Sequence, residues 1–124
     1  MPGEASVRAV RGATTVDQDT VEQMDGRVQE LLAEVMSRNA LVEDDVISII
    51  FTATGDVVSM FPATAARSCG FGAVPLLCAS EIAVPGATPR CIRALLHVTT
   101  TREPEDLRHV YLHGAQGLND DLPC

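Results

Sequence analysis

From Val7 to Thr14 the chain alternates, with Val7, Ala9, Arg11 and Ala13 on one parity and Arg8, Val10 and Gly12 on the other. That period predicts a first strand and places Arg11 in an otherwise apolar row. The spacing then changes: Val21, Met24, Val28, Leu31, Leu32, Val35 and Met36 recur at three and four, the pattern of a long helix with one buried face. Thr20 and Gln23 stand at capping-box spacing before it, and Asn39 is a suitable stop. Gly26 inside this helix costs about 1 kcal/mol relative to alanine, which a well-buried stripe can absorb.

Val46 to Thr54 (VISIIFTAT) is β-branched and free of breakers, and is expected to be a strand buried on both faces or nearly so. Gly55-Asp56 turns the chain, and Phe61 to Arg67 suits a short helix with Pro62 in its first turn, ended by Gly70 and Gly72. A third strand is expected over Val74 to Ala79, a loop over Glu81 to Arg90, and a fourth strand over Cys91 to Thr99. A helical turn at Glu103 to Leu107 leads to a fifth strand around His109 to Leu112, and about residues 115–124 are expected to form a mobile C-terminal tail. The predicted fold is a single α+β domain over residues 1–124, a five-stranded mixed sheet with one long and one short helix. Two helices cannot cover both faces of such a sheet, so its apolar rows imply burial against another copy of the chain.

Composition narrows the chemistry. The 124 residues include nine basic positions, every one an arginine, against seventeen acidic ones, for a net charge of −8. Without lysine, Schiff-base catalysis, pyridoxal phosphate attachment and a P-loop are ruled out, and fork-shaped recognition of carboxylate or phosphate remains. Only Phe51, Phe61, Phe71 and Tyr111 are aromatic, so an acidic chain with so few rings is a poor nucleic-acid binder. No apolar run is long enough for a membrane span and no signal-peptide core precedes Gly12, which together predict a cytoplasmic protein. Cys69, Cys78, Cys91 and Cys124 lack C-x-x-C spacing and are expected as free thiols, and His97, His109 and His113 as surface or satisfied histidines rather than metal ligands.

Five ordered pieces carry a resemblance: Val10-Arg11-Gly12-Ala13-Thr14-Thr15-Val16; Phe61-Pro62-Ala63 with Arg67; Val74-Pro75 leading to Cys78 and Glu81; Cys91-Ile92-Arg93; and Arg108-His109-Val110-Tyr111-Leu112. Together they resemble the monofunctional chorismate mutases of the AroH class, the small trimeric type. The resemblance implies a homotrimer with a pseudo-α/β-barrel core, three active sites in clefts between neighbouring chains, and the cofactor-free, metal-free rearrangement of chorismate to prephenate. It implies that Arg93 donates to the ether oxygen and a substrate carboxylate, that Arg11 and the Tyr111 hydroxyl hold the enolpyruvyl carboxylate, and that Glu81 accepts from the ring hydroxyl with Cys78 beside it. Phe61, Ala63, Thr64, Leu76 and Leu77 would line the cleft, Arg67 would reach the ring carboxylate, and Leu118 would close over the substrate.

Taken alone, Arg11 in its apolar row requires an anion, supplied by either a ligand or a structural carboxylate. The chain departs from the family pattern at Thr64, where lysine is usual, at Leu77, where threonine is usual, and in the segment Gly70-Phe71-Gly72-Ala73, which is one residue shorter. Two other readings stay open: a trimeric enamine/imine deaminase-like enzyme, whose characteristic strings are missing, and a non-catalytic trimer that senses a small carboxylate. A sensor could keep Arg11 and Arg67 but dispense with the Arg93–Glu81 pair.

Overall fold

Alternation in the first and fourth strands is expressed as one long antiparallel pair, β1 (Ser6–Thr15) against β4 (Cys91–Thr100), in a computed structural model that describes residues 4–121. On the other side of β4 lies β2 (Val46–Ala53), also antiparallel, while β3 (Leu76–Ser80) joins β2 and β5 (Val110–Tyr111) joins β1 in parallel. The sheet is therefore mixed, in the order β3-β2-β4-β1-β5.

The long helix, α1 (Val21–Arg38), buries Met24, Val28, Leu31, Leu32 and Val35, the predicted stripe except for half-exposed Val21 and partly buried Met36. It lies on the parity of β1 that carries Val10 and Gly12. A Cβ at Gly12 would stand 3.1 Å from Leu31 Cδ1 and 3.3 Å from Val35 Cγ2, so glycine permits the close approach of helix and strand. Thr20 caps α1 by accepting from Gln23 N, but the Gln23 side chain does not complete a capping box; its Oε1 accepts from Asp17 N and Gln18 N and orders the entry loop instead. At the other end, buried Asn39 donates to the carbonyls of Val35 and Arg108 and accepts from Arg108 N at 2.7 Å. One amide thus stops the helix and fixes the segment that leads into β5.

The short helix, α2 (Pro62–Ser68), packs Ala63, Ala65 and Ala66 into the core and gives way to Gly70 at φ +113°, a conformation that favours glycine. β3 begins at Leu76 rather than Val74, because Pro75 contributes only its carbonyl, accepting from Ile49 N. The expectation that β2 is buried on both faces does not hold within one chain: Val46, Ile49 and Phe51 are buried, but Ile50 and Thr52 are only half-buried and Ile47 is exposed beside a register shift. Residues His113–Asp121, most of the expected tail, are wound as a 3-10 helix with Ala115 buried and Gly114 N donating to Thr15 Oγ1; residues 122–124 lie outside the described residues, as does Cys124. Among the described residues no helix is long and apolar enough to cross a membrane.

Candidate active site

Both helices cover one face of the sheet, and the strand register assigns the chemistry-bearing residues to the other. Across that uncovered face, Arg11 stands opposite Leu95, Leu95 opposite Ile50, and Ile50 opposite Leu77. The next row runs Tyr111, Ala13, Arg93, Thr52 and Ala79. Because cross-strand partners share a face, two arginines and the chain's tyrosine are brought together by pairing alone. They surround a cavity of about 340 Å³ lined by Arg11, Ile50, Thr52, Arg93, Tyr111 and Leu118.

Glu81 enters from the end of β3, where its backbone N–H extends the parallel ladder by donating to Ala53 O at 3.0 Å. Its Oε2 lies 3.1 Å from Arg93 Nε, with the Glu81 side chain largely buried and the Arg93 side chain 42% exposed. The Nε–H is not aligned on the carboxylate as a hydrogen bond, so this contact is an ion pair held by charge. A second donor meets the same oxygen: Thr52 Oγ1 donates to Glu81 Oε2 at 2.8 Å. Thr52, Arg93 and Leu118 also border an adjoining hollow of about 620 Å³ that contains Glu81.

Two neighbours condition the Arg11 side of the cavity. The Arg11 backbone N–H donates to His109 Nδ1 at 3.0 Å, which makes that nitrogen an acceptor. Burial, with the Arg11 charge adding to it, holds the His109 imidazole below its usual range, so the ring is neutral near pH 7. Arg11 itself is not left without a partner in the chain. Beneath Tyr111 and Leu118, Cys91 is fully buried and its thiol is pushed up to about 11 by desolvation, against the opposing pull of Arg93. Cys91 is thus an inert thiol packed behind the site.

The other expected site residues lie elsewhere on the same chain. Phe61, 70% exposed, and Thr64 line a groove of about 630 Å³ together with Cys78, whose register partner is Phe51. That groove does not include Arg11, Arg93, Glu81 or Tyr111. Arg67 is exposed in the last turn of α2, Ala63 is buried in the core, Leu76 is half-buried, and Leu77 is exposed on the uncovered face. Single-chain geometry therefore gathers Arg11, Glu81, Arg93, Tyr111 and Leu118 and keeps them apart from Phe61, Thr64 and Cys78. Sequence reasoning did not single out Thr52, Ile50 and Leu95; their signal was their parity in β2 and β4, which could not be used before the register was known.

A family model described as "Chorismate mutase type I" matches residues 7–122. Chorismate mutase AroH of Thermus thermophilus is 44% identical over 117 residues, 94% of this chain and 96% of its own. Chorismate mutase AroH of Bacillus subtilis (strain 168) is 37% identical over 117 residues, 94% of this chain and 92% of its own. Among solved structures, a chorismate mutase from Clostridium thermocellum matches with a TM-score of 0.87 and 47% identity, over 89% of this chain and 98% of that one. The deaminase and sensor readings draw no support from these relatives.

Proposed function

The chain belongs to the chorismate mutase type I family and is a chorismate mutase, an isomerase of aromatic amino acid biosynthesis, and from that premise we propose how its residues divide the work. Chorismate carries two carboxylates, and its concerted [3,3] shift to prephenate breaks an ether C–O bond without a nucleophile. Negative charge grows on the ether oxygen in the transition state. A protein accelerates such a step by holding the compact reactive conformer and by placing a cation where the charge develops.

Arg93 is the cation for the ether oxygen and an adjacent carboxylate. Arg11 and the Tyr111 hydroxyl hold the enolpyruvyl carboxylate, Glu81 accepts from the ring hydroxyl, and Leu118 covers the bound substrate. Phe61 packs on the apolar side of the ring, Cys78 lies beside the ring hydroxyl as a small apolar wall, and Arg67 reaches the ring carboxylate at the cleft mouth. Ala63, Thr64, Leu76 and Leu77 complete the lining. The observation that carries this reading is the Arg93–Glu81 contact at 3.1 Å, beside the small cavity that Arg93 lines together with Arg11 and Tyr111.

The active assembly is a homotrimer, with each cleft shared by two chains. Two features support this: among the described residues neither α-helix covers the sheet face bearing Ile50, Leu95 and exposed Leu77, and Phe61, Thr64 and Cys78 line a different groove from Arg93. A neighbour that brings its Phe61 side to the Arg93 side covers the one and completes the other. The setting is cytoplasmic, in keeping with the free thiols of Cys69, Cys78 and Cys91.

Loss of the diene absorbance of chorismate measures turnover directly, and light scattering measures the assembly. The expected results are conversion without added cofactor and a mass near three times 13.2 kDa. No conversion would defeat the functional reading, and a mass near 13.2 kDa at micromolar concentration would defeat the shared cleft.

A further inference from the structure

Thr52 has no role in the scheme above, yet its hydroxyl makes the closest contact to Glu81. We propose that Thr52 is a positioning residue for the rearrangement: its hydroxyl pins Glu81 so that the carboxylate serves the substrate hydroxyl instead of capturing Arg93. This rests on the role assigned to Glu81 under the proposed function.

Three observations support the assignment. Thr52 Oγ1 at 2.8 Å and Arg93 Nε at 3.1 Å both meet Glu81 Oε2, so the lone pairs of Oε1 remain for an outside donor. The Arg93 Nε–H is not aligned on the carboxylate, so charge alone does not orient the group, and the hydroxyl is the directional contact. Thr52 is also the register partner of Arg93 across β2 and β4, on a β-branched side chain that is stiff at χ1. The hydroxyl is therefore carried by the sheet, whereas Glu81 stands at the start of a loop on a longer, freer stem.

The consequence concerns Arg93. A guanidinium presents a fork that a free carboxylate grips through two nitrogens, and a Glu81 released from Thr52 would take that bidentate pose. The terminal nitrogens would then be tied to Glu81 instead of meeting the substrate. With Thr52 in place, the carboxylate meets the guanidinium at Nε.

Thr52→Val keeps the shape of the strand residue and removes the donor. Loss of a hydrogen bond to a charged group predicts a fall in kcat/KM of about 10- to 100-fold, mostly in kcat. Thr52→Ser, which keeps the hydroxyl, should stay within about threefold of the unsubstituted enzyme. In a Glu81→Ala background the hydroxyl has nothing to hold, so adding Thr52→Val should change the rate by no more than about twofold, a coupling that a merely structural lesion would not produce. If Thr52→Val fails to assemble, Thr52→Ala against Thr52→Ser in the same cycle gives the same comparison. Unchanged turnover in the donor-less variant, or an equal loss with and without Glu81, overturns the proposal. If Glu81→Ala alone turns over at the unsubstituted rate, the reading of Glu81 falls and the proposal with it; if Glu81→Ala is impaired and Thr52→Val is not, only the role of Thr52 falls.

Discussion

Replacing Arg93 with alanine should reduce kcat by about 10²- to 10³-fold, and the structure indicates why the loss is of that size. In a single chain the Arg93 side chain is 42% exposed, a setting in which an effective dielectric near ~20 applies. A unit charge pair at a hydrogen-bonding distance of ~3 Å is then worth about 5.5 kcal/mol, and an ether oxygen carrying about half a unit at the transition state gains about 2.8 kcal/mol, or ~100-fold. In the proposed trimer, cover by a neighbouring chain would lower the local dielectric and move the figure toward the upper end. Arg67 differs in kind. It stands in the last turn of α2 and, in the proposed scheme, meets a carboxylate whose charge is the same before and during bond breaking, so Arg67→Ala should raise KM by about tenfold and leave kcat within about tenfold. In that scheme the neutral Thr64 supplies no second cation, which leaves Arg67 the larger share of that binding. Arg93→Lys should recover only part of the loss, since an ammonium keeps the charge but cannot span two acceptors. Steady-state kinetics of the three variants, each checked for assembly by light scattering, reads these effects directly. Near-normal kcat in Arg93→Ala would refute the electrostatic assignment, and a kcat collapse confined to Arg67→Ala would mean that the two arginines have exchanged roles.

Two further outcomes follow from the packing around the site. His109 is held below its ordinary 6.5 by burial and by the Arg11 charge, so the unfolded chain takes up a proton at a higher pH than the folded one. Its contribution to stability is complete above pH ~6.5 and is lost as pH falls toward the folded value; His109→Gln should remove that part of the acid slope in urea titrations between about pH 7 and 5, and an unaltered slope would remove His109 from the account. Gly12→Ala should cost about 1–3 kcal/mol, because the new methyl meets Leu31 at 3.1 Å and Val35 at 3.3 Å in a close-packed layer; thermal melts would show it, and an unchanged Tm would mean that α1 moves away without cost.

Element order, the helix-covered core and the mixed sheet were legible because each strand and helix has its own period, and the boundaries moved by only a residue or two. What could not be read locally was pairing. Alternation in Val7 to Ala13 places Arg11 on one face, but nothing in that segment says that Leu95, Ile50 and Leu77 complete its row. The same limit hid Thr52: in VISIIFTAT a threonine is an ordinary strand former, and its chemistry exists only because Arg93 pairs opposite it and Glu81 follows the neighbouring strand. The capping box failed for a related reason, since the Gln23 side chain found two backbone donors in the entry loop that its spacing from Thr20 could not anticipate.

The parity of β1 connects these observations. Gly12 and Val10 face the helices, and the smallness of Gly12 lets α1 sit close against the sheet. Arg11 and Ala13 must then face the other way, Arg11 onto the side that neither α-helix covers and Ala13 beneath Tyr111 and Leu118. A one-residue slip in the β1–β4 register would send Arg11 toward Leu31 and Val35 and expose the core face, so hydrophobic burial on one side enforces cation placement on the other. The Arg108 backbone, clamped to Asn39 at the end of the same helix, applies the same logic to β5 and sets Tyr111 beside Ala13. Most of the candidate site is therefore carried by the sheet and not by loops that could move independently. Arg11, Arg93, Thr52 and Tyr111 are fixed by the pairing that buries the core, and Glu81 and Leu118, which enter from the end of β3 and from the 3-10 helix, are the groups left to be positioned by side-chain contacts.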